Sequence, residues 1–416
     1  MRFQAPRGTE DALPADIHRW QFVESQFKSL AQLYGYREIR TPSFEETDLF
    51  IRSSGETSEI VTKQMYSFTD KGGRPITFRP EGTAPIMRAV IEHNLCPPGT
   101  VARFSYVIPI YRYERPQKGR LREAHQVGLE LIGSPSMGSD AEIIEMTVGF
   151  YRRIGLVNVV ALVNSIGREE CRRRFSEAIL ASVESWLKDQ DEEGQARARK
   201  NPMRLLDSKD PAIQEAVAGV PPVLDFLEED ERRKFDELQS LLTEAGVPYR
   251  VAPEVVRGLD YYTGAVFEVH STSLGAQSAL CGGGRYDDLV KQMGGPDTPS
   301  VGVAMGIERA LIVLEAESAE VPEPKPDAFI AAASPEYAEH ARRLARGLRS
   351  RGLSAILDHD GKSLKSQLKQ ADKSGARYAI LIGEEEVAKD AVTLRNLATG
   401  EQAMVGESEL GEKVSR

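Results

Sequence analysis

The residues at 101–133, VARFSYVIPIYRYERPQKGRLREAHQVGLELIG, concentrate side chains that could do chemistry. The stretch reads as two strands of alternating apolar and polar residues, joined by a loop rich in arginine, lysine, glutamine and glycine. Side chains two apart on a strand point the same way, so Arg112 and Glu114 are expected on one face of the first strand. By the same rule Gln126 and Glu130 share one face of the second. Paired antiparallel, the two strands would gather a guanidinium, two carboxylates and an amide beside a basic, mobile tip. Such a set suits a small zwitterion, a polyphosphate and a larger anion meeting in one place.

Several elements must position this hairpin. Ile17, Trp20, Val23, Phe27 and Leu30 recur at three or four residues, which predicts an amphipathic helix over 16–33 with start signals at Pro14 and Asp16 and a stop at Gly35. A strand over 36–42 should follow and stop at Pro42. Between 168 and 246 charges crowd, aromatics thin out and helical periodicity dominates, as in a helical insertion of residues 168–246 within a surrounding domain. The alternating prolines of 322–326 predict an extended linker. Beyond it strands over 327–333, 354–358 and 378–383 alternate with helices over 335–351 and 363–375, the pattern of a small parallel α/β domain. Lys362, Lys365, Lys369 and Lys373 fall near one helix face there, and Arg342, Arg346 and Arg349 near another. There is no internal repeat and no low-complexity tract.

A chain of 416 residues, 41% hydrophobic and 28% charged, is long enough for two or three domains with ample core. No apolar run is long enough to span a bilayer and the first residues lack a signal-peptide core, so a cytoplasmic protein without a membrane partner is expected. Three scattered cysteines, Cys96, Cys171 and Cys281, argue against both a disulfide framework and a zinc cluster. The six histidines show no ligand spacing, so no protein-held metal is expected. A net charge of −10 counts mildly against RNA, although local basic faces can still hold phosphates.

Tyr111-Arg112-Tyr113-Glu114-Arg115-Pro116-Gln117-Lys118-Gly119-Arg120 resembles motif 2 of the class II aminoacyl-tRNA synthetases, in the form found in the histidyl-tRNA synthetase family. Four further segments resemble the same family in the same order. They are Thr77-Phe78-Arg79-Pro80-Glu81-Gly82-Thr83, Val256-Arg257-Gly258-Leu259-Asp260-Tyr261-Tyr262-Thr263-Gly264, Gly283-Gly284-Arg285-Tyr286-Asp287, and the motif 3-like Val303-Ala304-Met305-Gly306-Ile307-Glu308-Arg309. The helix and strand over 16–42 resemble motif 1, which implies a homodimer. The resemblance implies an α/β protein: an α+β catalytic domain (1–167 and 247–321) with a mainly antiparallel sheet flanked by helices, interrupted by the insertion. Residues 327–416 would then form an anticodon-binding α/β domain.

The resemblance also implies roles. L-histidine would react with ATP, accompanied by Mg²⁺, to give histidyl-adenylate, and the aminoacyl group would pass to histidine tRNA. Arg257, Arg112 and Arg309 are the implied catalytic arginines, suited to oxyanions because guanidinium is planar and permanently charged. Arg112, Glu114, Arg120 and Arg309 would bind ATP. Arg309 gains from its place near the start of the helix after Gly306. Glu81, Thr83 and Gln126 would hold the α-amino group, Glu130 and Tyr262 the imidazole, with Gly82, Arg257, Tyr261 and Tyr286 completing the histidine pocket. Arg115 and Gln117 would contact the acceptor end of tRNA, whose extra 5′ guanosine the family reads with this loop.

Two positions depart from the family pattern. Ala124 stands where a phenylalanine usually stacks on adenine, and Ile108 replaces the glycine before Pro109. Another synthetase with a similar C-terminal domain is a further reading, against which Tyr261-Tyr262 after Arg257-Gly258-Leu259-Asp260 speaks. Two more readings stay open. One is the regulatory subunit of ATP phosphoribosyltransferase, which has a similar catalytic domain; Arg112, Arg257, Arg309 and the domain after Pro326 speak against it. The other is a catalytically silent RNA-binding paralogue, which Ala124 keeps open.

Overall fold

The computed structural model describes residues 3–415 apart from 57, 116, 118, 209, 257, 258 and 274–278. The chain divides into two compact units, Met1–Val321 and Pro322–Arg416.

The first unit opens with helix α1 (Ile17–Leu33), whose apolar spacing buries Val23, Phe27 and Ala31. Gly35, at φ +77°, turns the chain out of the helix in a conformation that costs glycine little. Strands β1 (Arg37–Glu38) and β2 (Phe44–Glu46), helix α2 (Thr47–Ser54), strands β3 (Tyr66–Thr69) and β4 (Pro75–Phe78) and helix α3 (Thr83–Glu92) follow. Next come the hairpin β5 (Ala102–Tyr111) and β6 (Glu123–Ile132), helix α4 (Met137–Arg153) and strand β7 (Val159–Ser165). Helices α5 (Glu169–Ser182), α6 (Glu184–Lys188), α7 (Glu192–Lys200), α8 (Pro211–Val217) and α9 (Glu229–Glu244) fill the interval before strands β8 (Tyr249–Val251), β9 (Ala265–Ser271) and β10 (Ala279–Arg285). Helix α10 (Leu289–Gln292), strand β11 (Ser300–Gly306) and helix α11 (Ile307–Ala316) complete the unit.

Eight strands form one sheet in the order β1-β5-β6-β11-β10-β9-β7-β8, while β2, β4 and β3 make a small separate sheet. Only the outer pairs β1/β5 and β7/β8 are parallel, so the large sheet is mixed and mainly antiparallel. Both faces are covered. On one, Val127, Leu129 and Leu131 of β6 pack with α1, α4, α11 and the helices of 169–244. On the other, Tyr106, Ile108 and Ile132 pack with Ile86 and Met87 of α3 and Leu289 of α10. Because Phe175 and Leu238 join the first cluster, the helical segment shares its core with the sheet.

Two strand expectations are corrected. The strand expected over 36–42 is only two residues long, its last tie to β5 being Ile39 N–H to Ser105 O at 2.9 Å. Arg112 and Glu114 lie beyond β5, not on it. The ladder closes with Arg112 N–H on Arg122 O, after which Tyr113 N–H turns to Gln64 O at 2.7 Å, drawing the chain out of the sheet.

The second unit contains strand β12 (Ala328–Ala332), helix α12 (Ala338–Ser350), strand β13 (Ala355–Leu357), helix α13 (Leu364–Ser374) and strand β14 (Tyr378–Ile382). Helix α14 (Glu384–Ala388), strands β15 (Ala391–Asn396) and β16 (Gln402–Gly406) and helix α15 (Leu410–Ser415) end it. The strand order is β13-β12-β14-β15-β16. The first three strands are parallel, as the sequence pattern predicts; the antiparallel pair β15 and β16 widens the sheet beyond that expectation. On α12, Arg342 and Arg346 pair with Glu339, and Arg349 donates to Ala355 O at 2.9 Å. Among the described residues no helix is long and apolar enough to cross a membrane.

Candidate active site

A cavity of about 1130 Å³ opens over the sheet of the first unit, lined by β6, β10, β11 and the loops around them. Its floor follows from strand alternation. While Val127, Leu129 and Leu131 enter the core beneath, Ala124, Gln126, Gly128 and Glu130 fall on the opposite face. On β11, Val301, Val303 and Met305 enter that same core, leaving Gly302, Ala304 and Gly306 opposite Glu130, Gly128 and Gln126. Polar side chains therefore face small ones across the strand pair. A β-carbon at Gly302 would overlap Glu130 Oε2 and lie 2.7 Å from Leu129 O. One at Gly128 would overlap the Tyr106 ring, which sits on the paired residue of β5.

At one end of the cavity sits a buried cluster. Glu130 is fully buried, and its carboxylate accepts from Thr83 Oγ1 at 2.8 Å and from the Tyr286 hydroxyl. Burial pushes its carboxyl up to about 8, although the hydroxyls of Tyr286 and Thr83 hold it back, and the nearby Glu81 adds to the rise. Glu81 accepts from the N–H groups of Thr83 (2.6 Å) and Ala84 (2.9 Å), so it caps helix α3 from the strand-to-helix turn. Burial raises its carboxyl too, opposed by those backbone N–H groups and by Arg112. Gly82 sits between them, where a β-carbon would press on Ile108 and Tyr106; the isoleucine at 108 is thus packed under the turn. Gln126 Oε1 is buried without a hydrogen-bond partner, an acceptor aimed at a polar ligand. Tyr261, Tyr262 and Tyr286 close this end, with ring centroids 4.8 Å (Tyr261–Tyr262) and 5.6 Å (Tyr261–Tyr286) apart. Arg285 holds Tyr286 in place through Asp140, Asp287 and Ser134 O.

The other end is basic. Arg112 donates to Pro80 O at 2.7 Å and stands 3.7 Å from Glu114, which in turn is 3.8 Å from Arg120. Arg309 enters from the first turn of α11 and donates to Ala279 O. The loop bridge between Gln117 and Arg120 brings Gly119 over Arg309 and Ile312. A cavity with buried acceptors at one end and three guanidinium groups at the other can hold a cationic, hydrogen-bonding ligand beside a polyanion.

Of the residues expected from sequence, Glu81, Thr83, Arg112, Glu114, Arg120, Gln126, Tyr261, Tyr262, Tyr286 and Arg309 line this one cavity, whereas Glu130 is fully buried behind Thr83 and Tyr286 and does not line it. Arg115 and Gln117 are exposed on the loop. Arg257 lies outside the described residues. Sequence reasoning missed His125 and Glu308, which bond each other at 3.0 Å at the cavity wall, although both sit inside the motifs, beside Gln126 and Arg309. It also missed the alternating Gly302-x-Ala304-x-Gly306, a legible sign of a floor kept clear. Arg172 of α5, which donates to Tyr262 O at 2.8 Å, carries no signal in its surroundings. The three cysteines are buried and are not joined in disulfides, and Cys281 lines the cavity.

The chain is similar to known proteins along its length. Residues 8–310 match the family model of histidyl-tRNA synthetase, and residues 327–416 match that of the anticodon binding domain. A histidine–tRNA ligase from Caldanaerobacter subterraneus subsp. tengcongensis is 43% identical over 97% of this chain and 97% of its own length. One from Synechocystis is 46% identical over 95% of this chain and 88% of its own length. The apo histidyl-tRNA synthetase of S. aureus superposes with a TM-score of 0.85 at 34% identity, covering 100% of both chains. With the synthetase family model matching most of the first unit and relatives of 43% and 46% identity spanning both units, the chain belongs to the histidyl-tRNA synthetase family.

Proposed function

We infer that this protein is a histidine–tRNA ligase: it joins L-histidine to ATP, releasing diphosphate, then transfers the histidyl group to the 3′ end of histidine tRNA, releasing AMP. The observation that carries this reading is the unpartnered Gln126 Oε1, which with Thr83 and Tyr286 lines a cavity that also holds Arg112, Arg120 and Arg309, while Glu130 is buried just behind Thr83 and Tyr286 and braced by both. Imidazole offers one donor and one acceptor when neutral, and Glu130 and Tyr262 supply partners for its two edges. Glu81, Thr83 and Gln126 take the ammonium, with Gly82 keeping the turn thin. An amino acid lacking the imidazole would leave buried groups unpaired, so the site rejects it strongly.

Activation requires the histidine carboxylate to attack the α-phosphorus, two anions meeting in line. Fixed positive charge and alignment lower that barrier. Arg112 holds the α-phosphate, Arg120 and Arg309 the outer phosphates, and Arg257 is assigned to the carboxylate and α-phosphate on its signature alone. Arriving with ATP, Mg²⁺ would neutralise phosphate charge. Glu114, beside Arg112 and Arg120, is a carboxylate of the kind such an ion accepts, since Mg²⁺ keeps several waters and needs only one or two protein ligands. Arg115 and Gln117 meet the RNA acceptor end. Residues 1–167 and 247–321 serve as the catalytic domain, 168–246 as its insertion, 322–326 as linker and 327–416 as the anticodon-binding domain. The working form is a cytoplasmic homodimer. The exposed Phe44 and Phe68 on the small sheet suit a face covered by a second copy.

Charging of a histidine tRNA transcript with labelled histidine tests this reading. Stable histidyl-RNA should form with that transcript and not with an alanine tRNA transcript; charging of both, or of neither, would refute it.

A further inference from the structure

The β6–β11 ladder ends at the pair Gln126–Gly306, where the chain leaves the sheet to start α11. His125 is the next residue along β6; Pro109 of β5 pairs with it on one side, but β11 does not continue opposite it on the other. Glu308 takes the vacant position: its Oε1 and Oε2 accept the His125 backbone N–H at 2.8 and 3.1 Å. The same carboxylate reaches the ring, with Nδ1 3.0 Å from Oε1. A carboxylate only accepts, so Nδ1 carries the proton in this contact.

An acid in the first turn of a helix is favoured by the helix dipole whatever it touches. That explains a carboxylate at 308 but not its double tie to one histidine. Two bonds from a single residue of β6 fix the Glu308 side chain, and with it the first turn of α11. Arg309, the next residue, braces the same turn from the other side by donating to Ala279 O on β10. The imidazole is held in turn by the Trp20 ring of α1, with centroids 5.0 Å apart and planes at 85°. Helix α11 is thus anchored to the sheet at the point where its arginine enters the cavity.

We propose that His125 and Glu308 form a positioning pair that aims Arg309 at the outer phosphates of the nucleotide. His125 acts through Glu308 and not on the substrate. The proposal rests on the reading of the cavity as an ATP and histidine site. The groups facing the imidazole are Glu308 from α11, Glu123 on β6 and Glu24 from α1, all acidic, and the Glu308 bond foremost raises its proton affinity despite burial.

The test is steady-state ATP–pyrophosphate exchange with ATP and histidine varied separately, in the full chain and in His125→Ala, His125→Asn and Glu308→Gln. Loss of one charge-assisted bond at this place should raise the KM for ATP about tenfold in His125→Ala, leaving that for histidine within about twofold. Asparagine places Nδ2 close to the position of Nδ1, so His125→Asn should recover most of the loss. Glu308→Gln, which weakens both ties, should move the same constant in the same direction and serves if His125→Ala does not fold. Unchanged ATP dependence, equal rises for both substrates, or no recovery by asparagine would overturn the proposal. If the unaltered protein exchanges with no amino acid, the ligase reading fails. Equilibrium dialysis of ATP then decides the positioning role on its own: equal binding by His125→Ala would refute it.

Discussion

Glu130 on β6 lies directly opposite Gly302 on β11, and the space a β-carbon would need at 302 is taken by the Glu130 carboxylate. Gly302→Ala should therefore push Glu130 away from Thr83 and Tyr286. The dissociation constant for histidine should rise about tenfold or more, with a much smaller change for ATP. Histidine titration in a calorimeter, with circular dichroism to check the fold, reads the effect.

Tyr286 touches the other Glu130 oxygen, and its hydroxyl lowers the carboxyl's proton affinity. Tyr286→Phe removes that bond while keeping the ring that packs on Tyr261. Histidine affinity near neutral pH should fall about tenfold and recover in part as the pH is raised, because the carboxylate then forms without the hydroxyl's help. A pH series of binding isotherms checks this.

Glu130 also ties stability to pH. Its carboxyl is pushed up to about 8 in the folded, ligand-free protein by burial, whereas an unfolded glutamate titrates near ~4.3. The folded state therefore holds a proton that the unfolded chain releases across this window. The stability contributed is fully present below the unfolded value and is lost as the pH rises through the folded one. Without histidine, Tm should fall more steeply between about pH 5 and 8 in the unaltered protein than in Glu130→Gln, which cannot titrate. Parallel curves would contradict the assignment.

Much of this site was legible in the sequence. The hairpin announced itself because both strands alternate, and the alternation separates Gln126 and Glu130 from Val127, Leu129 and Leu131. The order of the five motifs carried the family. What was not legible depended on contacts made only after folding. Arg112 and Glu114 leave the strand because Tyr113 N–H finds Gln64, a residue far upstream. Arg172 reaches the back of Tyr262 from the helical segment, and no spacing in 168–246 indicates which of its arginines faces the sheet. Strand β1 is shorter than its pattern, since only Arg37 and Glu38 find ladder partners on β5.

Ala124 lines the cavity on the same face as Gln126, toward the arginine end. Ala124→Phe would add an aromatic platform there. Stacking of a base on such a ring is worth about 1–3 kcal/mol, so the KM for ATP should drop by about fivefold or more. An unchanged constant would place the adenine elsewhere in the cavity.

Arg112→Lys and Arg309→Lys keep a positive charge but lose the planar fork. Each should lower the rate of adenylate formation about 10²-fold, because a point charge cannot grip two phosphate oxygens in fixed geometry. Single-turnover formation of histidyl-adenylate separates this loss from any change in product release.

The most direct test is amino-acid-dependent ATP–pyrophosphate exchange, run with each of the standard amino acids in turn. Exchange with histidine alone is the expected result, and it would establish both the reaction and the selectivity attributed to Glu130. Exchange with another amino acid would contradict the assignment of the buried pocket. No exchange with any amino acid, despite measurable histidine binding, would contradict catalysis itself and leave a binding protein on a synthetase fold.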